Sequence, residues 1–182
     1  MFLEFRLRFL LLLALFVLYP STTFAQDSEE LSQGGSDEHW GISIWGLSYH
    51  IDRSIDYDEN NWGLGIRYQT RPQWRWLGRG EDNRVFLEVD ALRNSHGGLA
   101  LPVSVGVDHQ VMSLSDRCKL LAVAAFTLAY YQNRREDATE LKFGPVPGLT
   151  LSCGHVRTNM TVILRAKRAP LAAIVGSLTI VF

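Results

Sequence analysis

Between Leu99 and Asp108 every second side chain is a large aliphatic one. Leu99, Leu101, Val103, Val105 and Val107 alternate with Ala100, Pro102, Ser104, Gly106 and Asp108. A period of two sends successive side chains to opposite faces of a strand, whereas a helix face repeats every ~3.6 residues. The pattern recurs. Trp62, Leu64, Ile66 and Tyr68 oppose Gly63, Gly65, Arg67 and Gln69, and Val85, Leu87, Val89 and Ala91 oppose Phe86, Glu88, Asp90 and Leu92. In the last six residues Leu178, Ile180 and Phe182 oppose Ser177, Thr179 and Val181. An apolar strand face closing on an aromatic residue is how many outer-membrane β-barrels end.

Residues 1–25 read as a signal peptide. Arg6 and Arg8 precede the short apolar run Phe9 to Leu18, Pro20-Ser21-Thr22-Thr23 breaks it, and Thr23-Phe24-Ala25 offers a small-x-small cleavage site before Gln26. A membrane anchor is the other reading, but the run falls short of the ~20 residues a helical span needs. Residues 26–40 are polar and acidic, with Gly34-Gly35, and read as a periplasmic leader. The formal net charge of −1 carries no basic excess for nucleic acid. The longest later apolar stretch, Leu120–Tyr131, is too short for a transmembrane helix. A chain that crosses lipid without helices closes its strands into a barrel, because lipid cannot satisfy an open sheet edge.

From Gly41 the sequence divides at Gly, Pro, Asn, Asp and Ser clusters into eight strand-length segments. They are Gly41–His50, Asn61–Thr70, Asn83–Leu92, Leu99–Val111, Cys118–Tyr131, Leu141–Ser152, Val156–Arg165 and Leu171–Phe182. The expected fold is all-β: an eight-stranded antiparallel up-and-down transmembrane β-barrel over residues 41–182. A soluble lipocalin-like barrel would alternate as regularly, with its apolar set inward. The signal peptide, Phe182 and the Trp and Tyr clusters favour the outer-membrane version. Both termini then lie in the periplasm. Ile51–Asn60, Arg93–Gly98, Gln132–Glu140 and Ala166–Pro170 face outward, and Trp74, Arg75 and Trp76 sit at the periplasmic interface as girdle residues.

Inside the barrel, Arg67 faces Glu88 and Asp90 on the next strand. Charges buried in a small lumen must satisfy one another, which reads as an internal ion-pair plug more readily than as catalysis. Cys118 and Cys153 fall at the periplasmic end of one hairpin. Two readings stand: a disulfide, which needs Cα atoms within ~7 Å, or two unrelated small hydrophobes. His50 ends the first strand on the face of Ser48 and Gly46, and Ser95 opens an outer loop in Arg93-Asn94-Ser95-His96-Gly97. An imidazole that takes the proton of a serine hydroxyl makes a nucleophile for acyl transfer. Solvated loop residues are the plainer alternative.

Ser48-Tyr49-His50, then a polar loop, then Asn61-Trp62-Gly63-Leu64-Gly65 resembles the opening of the lipid A palmitoyltransferase family of outer membranes, the PagP type. Arg93-Asn94-Ser95 falls where that family carries an Asp-Ser pair. Gly144-Pro145-Val146-Pro147-Gly148-Leu149 is similar to its proline-bearing sixth strand, and Pro170 precedes strand eight as a proline does there. The resemblance implies a monomeric enzyme of the cell outer membrane, with no metal or cofactor, that moves a palmitoyl chain from a phospholipid to lipid A. It makes His50 the essential histidine and Ser95 the essential serine, with Asn94 in the place of the carboxylate. That substitution and the acidic leader depart from the family. A lipid A deacylase, or a non-catalytic barrel for envelope integrity or adhesion, are the competing functions.

The prolines have a meaning of their own. Lacking an N–H, they weaken the ladder on both sides of strand seven. That either opens a lateral gate for a lipid chain or is ordinary strand-end turn chemistry. In strand four Ala100, Pro102, Ser104 and Gly106 form a small-walled inward column beneath Ser95. We read Ser104 and Gly106 as acyl-pocket residues, with Gly106 as the floor that sets chain length. The alternative is a glycine that only relieves crowding.

Overall fold

The computed structural model describes residues 38–51, 57–72, 83–134, 136–164 and 171–182. The signal peptide, most of the leader, Trp74, Arg75, Trp76 and Pro170 lie outside the described residues. Eight strands follow one another: β1 (Glu38–His50), β2 (Gly63–Thr70), β3 (Arg84–Arg93), β4 (Leu99–Ser113), β5 (Cys118–Asn133), β6 (Ala138–Cys153), β7 (Val156–Leu164) and β8 (Leu171–Val181). Each pairs antiparallel with the next, and β8 pairs with β1 to close the barrel. The polarity is that of a membrane barrel. Leu64, Ile66, Val89, Leu101, Val105 and Leu128 are exposed, while Ser43, Arg67, Glu88, Asp108, Asn159 and Thr179 are buried in the lumen. Apolar side chains outside and polar ones inside suit lipid without and a hydrogen-bonded interior within.

The first strand differs from expectation at two places. It starts at Glu38, not Gly41, because pairing with β2 runs on to Glu38↔Thr70, so the last three leader residues are strand. Trp40 also exchanges both backbone hydrogen bonds with Phe182, at 3.2 and 2.8 Å. A β-bulge between Trp45 and Leu47 then absorbs Gly46. The extra residue reverses the alternation, so Ser48 and His50 face the lumen with Trp45 instead of with Gly46.

The lumen near the chain ends is filled by an ionic plug. Arg67 pairs with Glu88 at 3.1 Å and with Asp108 at 2.6 Å, and Arg157 meets the same Asp108 oxygen at 2.6 Å. Gln69 accepts from both arginines, and Ser43 donates to Glu88 at 2.5 Å. Asp90, expected beside Arg67, instead accepts the Trp45 indole N–H at 2.8 Å. That indole faces the lumen, so Asp90 is satisfied one level above the plug. Isolated charges buried this deeply would each cost several kcal/mol; here each is held by a partner of opposite sign or a polar neighbour. At the same end Cys118 and Cys153 are direct cross-strand partners and form a disulfide, their Cα atoms 4.2 Å apart.

Candidate functional site

Above the plug the lumen changes character. A cavity of about 670 Å³ occupies the half of the barrel away from the chain ends, within the ~300–1,000 Å³ typical of ligand sites. Its walls are small or apolar: Ala100, Pro102 and Ser104 on β4, Ala125, Thr127 and Ala129 on β5, Gly144 and Val146 on β6. The hydroxyls of Ser104 and Thr127 satisfy each other at 2.8 Å, so they present no unpaired polar group to a hydrocarbon.

Ser104 thus lines the cavity, and Gly106 does not. A Cβ on Gly106 would lie 2.7 Å from the tip of the Phe86 ring and from the Ala124 carbonyl. Phe86 on β3, directly opposite Gly106, uses that space. Phe86 lines the floor together with Arg67 and Glu88 of the plug, the Arg67 guanidinium lying 3.6 Å from its ring centroid. The glycine relieves crowding, which is the alternative the sequence left open.

The cavity also opens sideways. β6 pairs with β5 along its whole length, from Cys118↔Cys153 to Asn133↔Ala138. Among the described residues it pairs with β7 from Cys153↔Val156 to Gly148↔Thr161 and no further. Successive residues of an antiparallel strand direct their backbone groups to alternate neighbours. Because the β5 ladder is intact past Phe126↔Pro145 and Ala124↔Pro147, the donors these prolines lack are the ones that would face β7. An unpaired N–H against lipid costs several kcal/mol, and two prolines spaced by two remove two of them. Leu141, Phe143, Thr161, Ile163 and Leu164 flank the opening and line the cavity. Pro170 lies outside the described residues, and β7 remains paired with β8 up to Leu164↔Leu171.

The roof holds the residues singled out for chemistry. The chain returning from the first outer loop straps β1 to the β3–β4 loop. Glu59 O accepts from Ser48 N at 3.1 Å, Asn61 Nδ2 donates to Ser48 Oγ at 2.9 Å, and Asp58 N donates to Ser95 O at 3.0 Å. Arg93 closes the strap on Asp58 at 2.8 Å. Tyr57, carried by this strap, stacks on His50 with ring centroids 4.0 Å apart. Its edge contact with His96 is 5.4 Å, and His96 meets Tyr131 at 5.9 Å. Ser95, 6% exposed, shares a hydrogen bond of 3.3 Å with the Tyr131 hydroxyl. His50 and Ser95 therefore reach one cavity roof, with the Tyr57 ring beside the imidazole and Tyr131 beside the serine.

Asn94 occupies neither position. Its Nδ2 donates to Leu99 O at 3.1 Å and Gln132 O at 2.7 Å, and its Oδ1 accepts from His96 N at 2.9 Å and Gly98 N at 3.1 Å. The amide is fully used in bracing its loop, where Gly97 takes a positive φ of 77°, and in tying that loop to β5. In the place that the resemblance gives to a carboxylate, Asn94 thus has a scaffolding role. Tyr57, His96 and Tyr131 were not singled out from the sequence. In the sequence, their signals are the place of His96 directly after Ser95 and of Tyr131 on the inward period of β5.

Closed strands, an apolar outer belt and a polar plugged lumen define the class: an eight-stranded β-barrel of the outer membrane, with a laterally open cavity in its distal half. No family model matches the chain, nor does any curated protein. Among solved structures it is similar to that of Ail, the attachment invasion locus protein of Yersinia pestis. The two share 12% identity over 81% of this chain and 100% of that one, with a TM-score of 0.42.

Proposed function

We propose that this barrel takes an acyl chain of a phospholipid into its cavity and transfers it to lipid A in the outer leaflet. The observation that carries the reading is the apolar cavity of about 670 Å³ beneath Ser95, open toward the bilayer between β6 and β7. A hydrocarbon tail fits such walls, since each methylene removed from water gains ~0.8 kcal/mol. Lateral entry spares the tail a passage through solvent. Ser95 is the nucleophile, and an imidazole of the cavity roof, His50 or His96, takes its proton. Active-site hydrogen bonds often tighten only when substrate is bound, so the stacked Tyr57 beside His50 is compatible with that role.

A second reading is favoured by one observation, the Tyr131 hydroxyl as the side-chain partner of Ser95. In a non-catalytic barrel for envelope integrity or adhesion, the roof would be a rigid aromatic cap. Mass spectrometry of lipid A from cells with and without the protein separates the functions. One added acyl chain supports transfer, one lost chain indicates a deacylase with water as acceptor, and an unchanged profile leaves the non-catalytic barrel.

A further inference from the structure

Attack of a serine on an ester passes through a tetrahedral centre whose oxygen becomes negative. Enzymes hold that oxygen with preorganised donors, commonly backbone N–H groups next to the nucleophile. On the C-terminal side of Ser95 those groups are committed elsewhere. The N–H groups of His96 and Gly98 donate to Asn94 Oδ1, and that of Gly97 donates to Asn94 O at 2.9 Å. The side-chain donor that faces Ser95 is a phenol, with Tyr131 Oη 3.3 Å from Ser95 Oγ.

Tyr131 is held where it stands. It projects inward from β5 opposite Ala100 and lines the cavity. The edge of His96 contacts its ring, and Lys142 Nζ lies 3.8 Å from the ring centroid. The hydroxyl is thus fixed before any substrate arrives, which is the condition for strong oxyanion stabilisation. The ammonium of Lys142, which also pairs with Glu140 at 3.4 Å, braces the face of this ring.

Resting on the acyl-transfer reading for its substrate, we infer that Tyr131 is a catalytic residue, the donor that binds the oxyanion formed at Ser95. Ser95 Oγ bonds to the ester carbon as its proton passes to His50 or His96, and the C=O π pair moves onto the oxygen. That oxygen accepts the hydrogen bond from Tyr131 Oη. Collapse re-forms the carbonyl and breaks the bond to the glycerol oxygen, which takes the proton from the imidazole. The acceptor hydroxyl then attacks the acyl-serine by the same steps, its proton going to the imidazole and on to Ser95. Tyr131 keeps its proton throughout.

Tyr131→Phe removes only the hydroxyl and leaves the ring contacts in place. The probes are a long-chain alkyl trifluoromethyl ketone, which forms an oxyanionic hemiketal with an active serine, and an unreactive alkyl amide of equal length. Both are measured on full-length protein in detergent. Tyr131→Phe should lose about 100-fold in ketone affinity and in kcat, with amide affinity and KM unchanged. Lys142→Met should weaken ketone affinity several-fold and leave amide affinity alone. Equal losses for both probes, an unchanged kcat in Tyr131→Phe, or no ketone adduct on wild-type Ser95 would each overturn the inference. Should Tyr131→Phe fail to fold, an unchanged ketone affinity in Lys142→Met would overturn it as well. An adduct on Ser95 with the expected Tyr131→Phe loss, but without acylation of lipid A, would uphold the oxyanion donor and remove only the proposed acceptor.

Discussion

All four hydrogen-bonding directions of the Asn94 amide go to backbone groups, and this changes what a substitution there should do. Read from its motif alone, Asn94 fills the place of a carboxylate, and Asn94→Asp would be harmless. In the fold, an aspartate loses both donations and sets one acceptor oxygen, in place of Nδ2, against the carbonyl oxygens of Leu99 and Gln132. Leaving buried groups unsatisfied costs ~1–3 kcal/mol each. Asn94→Asp should therefore lower the unfolding temperature and reduce acyl transfer more than tenfold, while Asn94→Ser should be milder; thermal unfolding and lipid A mass spectrometry read the two effects. Ser95→Ala should abolish transfer without altering unfolding, because the hydroxyl makes a single long hydrogen bond of 3.3 Å. Equal transfer by wild type and Ser95→Ala would remove the serine from the mechanism. His50 and Ser95 were legible as rim residues because the hairpin rhythm places strand ends. Their neighbours were not, since Tyr57 arrives on a loop whose path no periodicity encodes.

Strand elements were the most readable part of the chain. All eight lie within three residues of the spans expected from period-two alternation and turn residues, and the inward and outward sets on β2, β3, β4 and β8 are those the pattern gave. A bulge inserts one residue without breaking the local alternation on either side, so the pattern does not reveal the Trp45–Leu47 irregularity or the Trp45 partner of Asp90. The hairpin disulfide depended on register, and the direct pairing Cys118↔Cys153 supplies it. The proline signal on β6 takes its meaning from the register: among the described residues, pairing with β7 stops at Gly148↔Thr161. Extending that register, Val146 and Ile163 would face each other if the strands closed. In a Cys118→Ser/Cys153→Ser background, Val146→Cys with Ile163→Cys should block acyl transfer when oxidised and restore it on reduction. Transfer that is indifferent to the crosslink would show that lipid enters by another route. The crosslink should leave the barrel's gel mobility unchanged.

At the scale of the whole molecule, the barrel is divided into a plugged half that makes it rigid and an open half that can hold a chain. Closure through β1–β8 leaves no free edge around the plug, so the folded protein should migrate faster on gels before boiling than after. Recovery as a freely soluble protein would contradict the outward apolar belt. The boundary between the halves is the floor, and the sequence located it one strand away from where it lies. Gly106 sits on the inward column as expected, yet a glycine cannot block a lumen; the side chain that fills the space above it does. Phe86 is that side chain, and Arg67 against its ring ties the floor to the Glu88 and Asp108 carboxylates. Phe86→Leu removes ring volume while keeping an apolar surface, so the cavity should deepen and the transferred chain lengthen by one or two carbons. Each added methylene gains ~0.8 kcal/mol of burial, enough to be visible in the acyl profile of lipid A. Gly106→Met, by contrast, must displace the Phe86 ring or the Ala124 carbonyl, and overpacking of this kind typically costs ~1–3 kcal/mol. It should lower the unfolding temperature instead of giving a clean shift to shorter chains. An unchanged acyl profile in a folded, active Phe86→Leu protein would place the floor elsewhere, and a stable Gly106→Met protein with a uniformly shorter product would return it to β4.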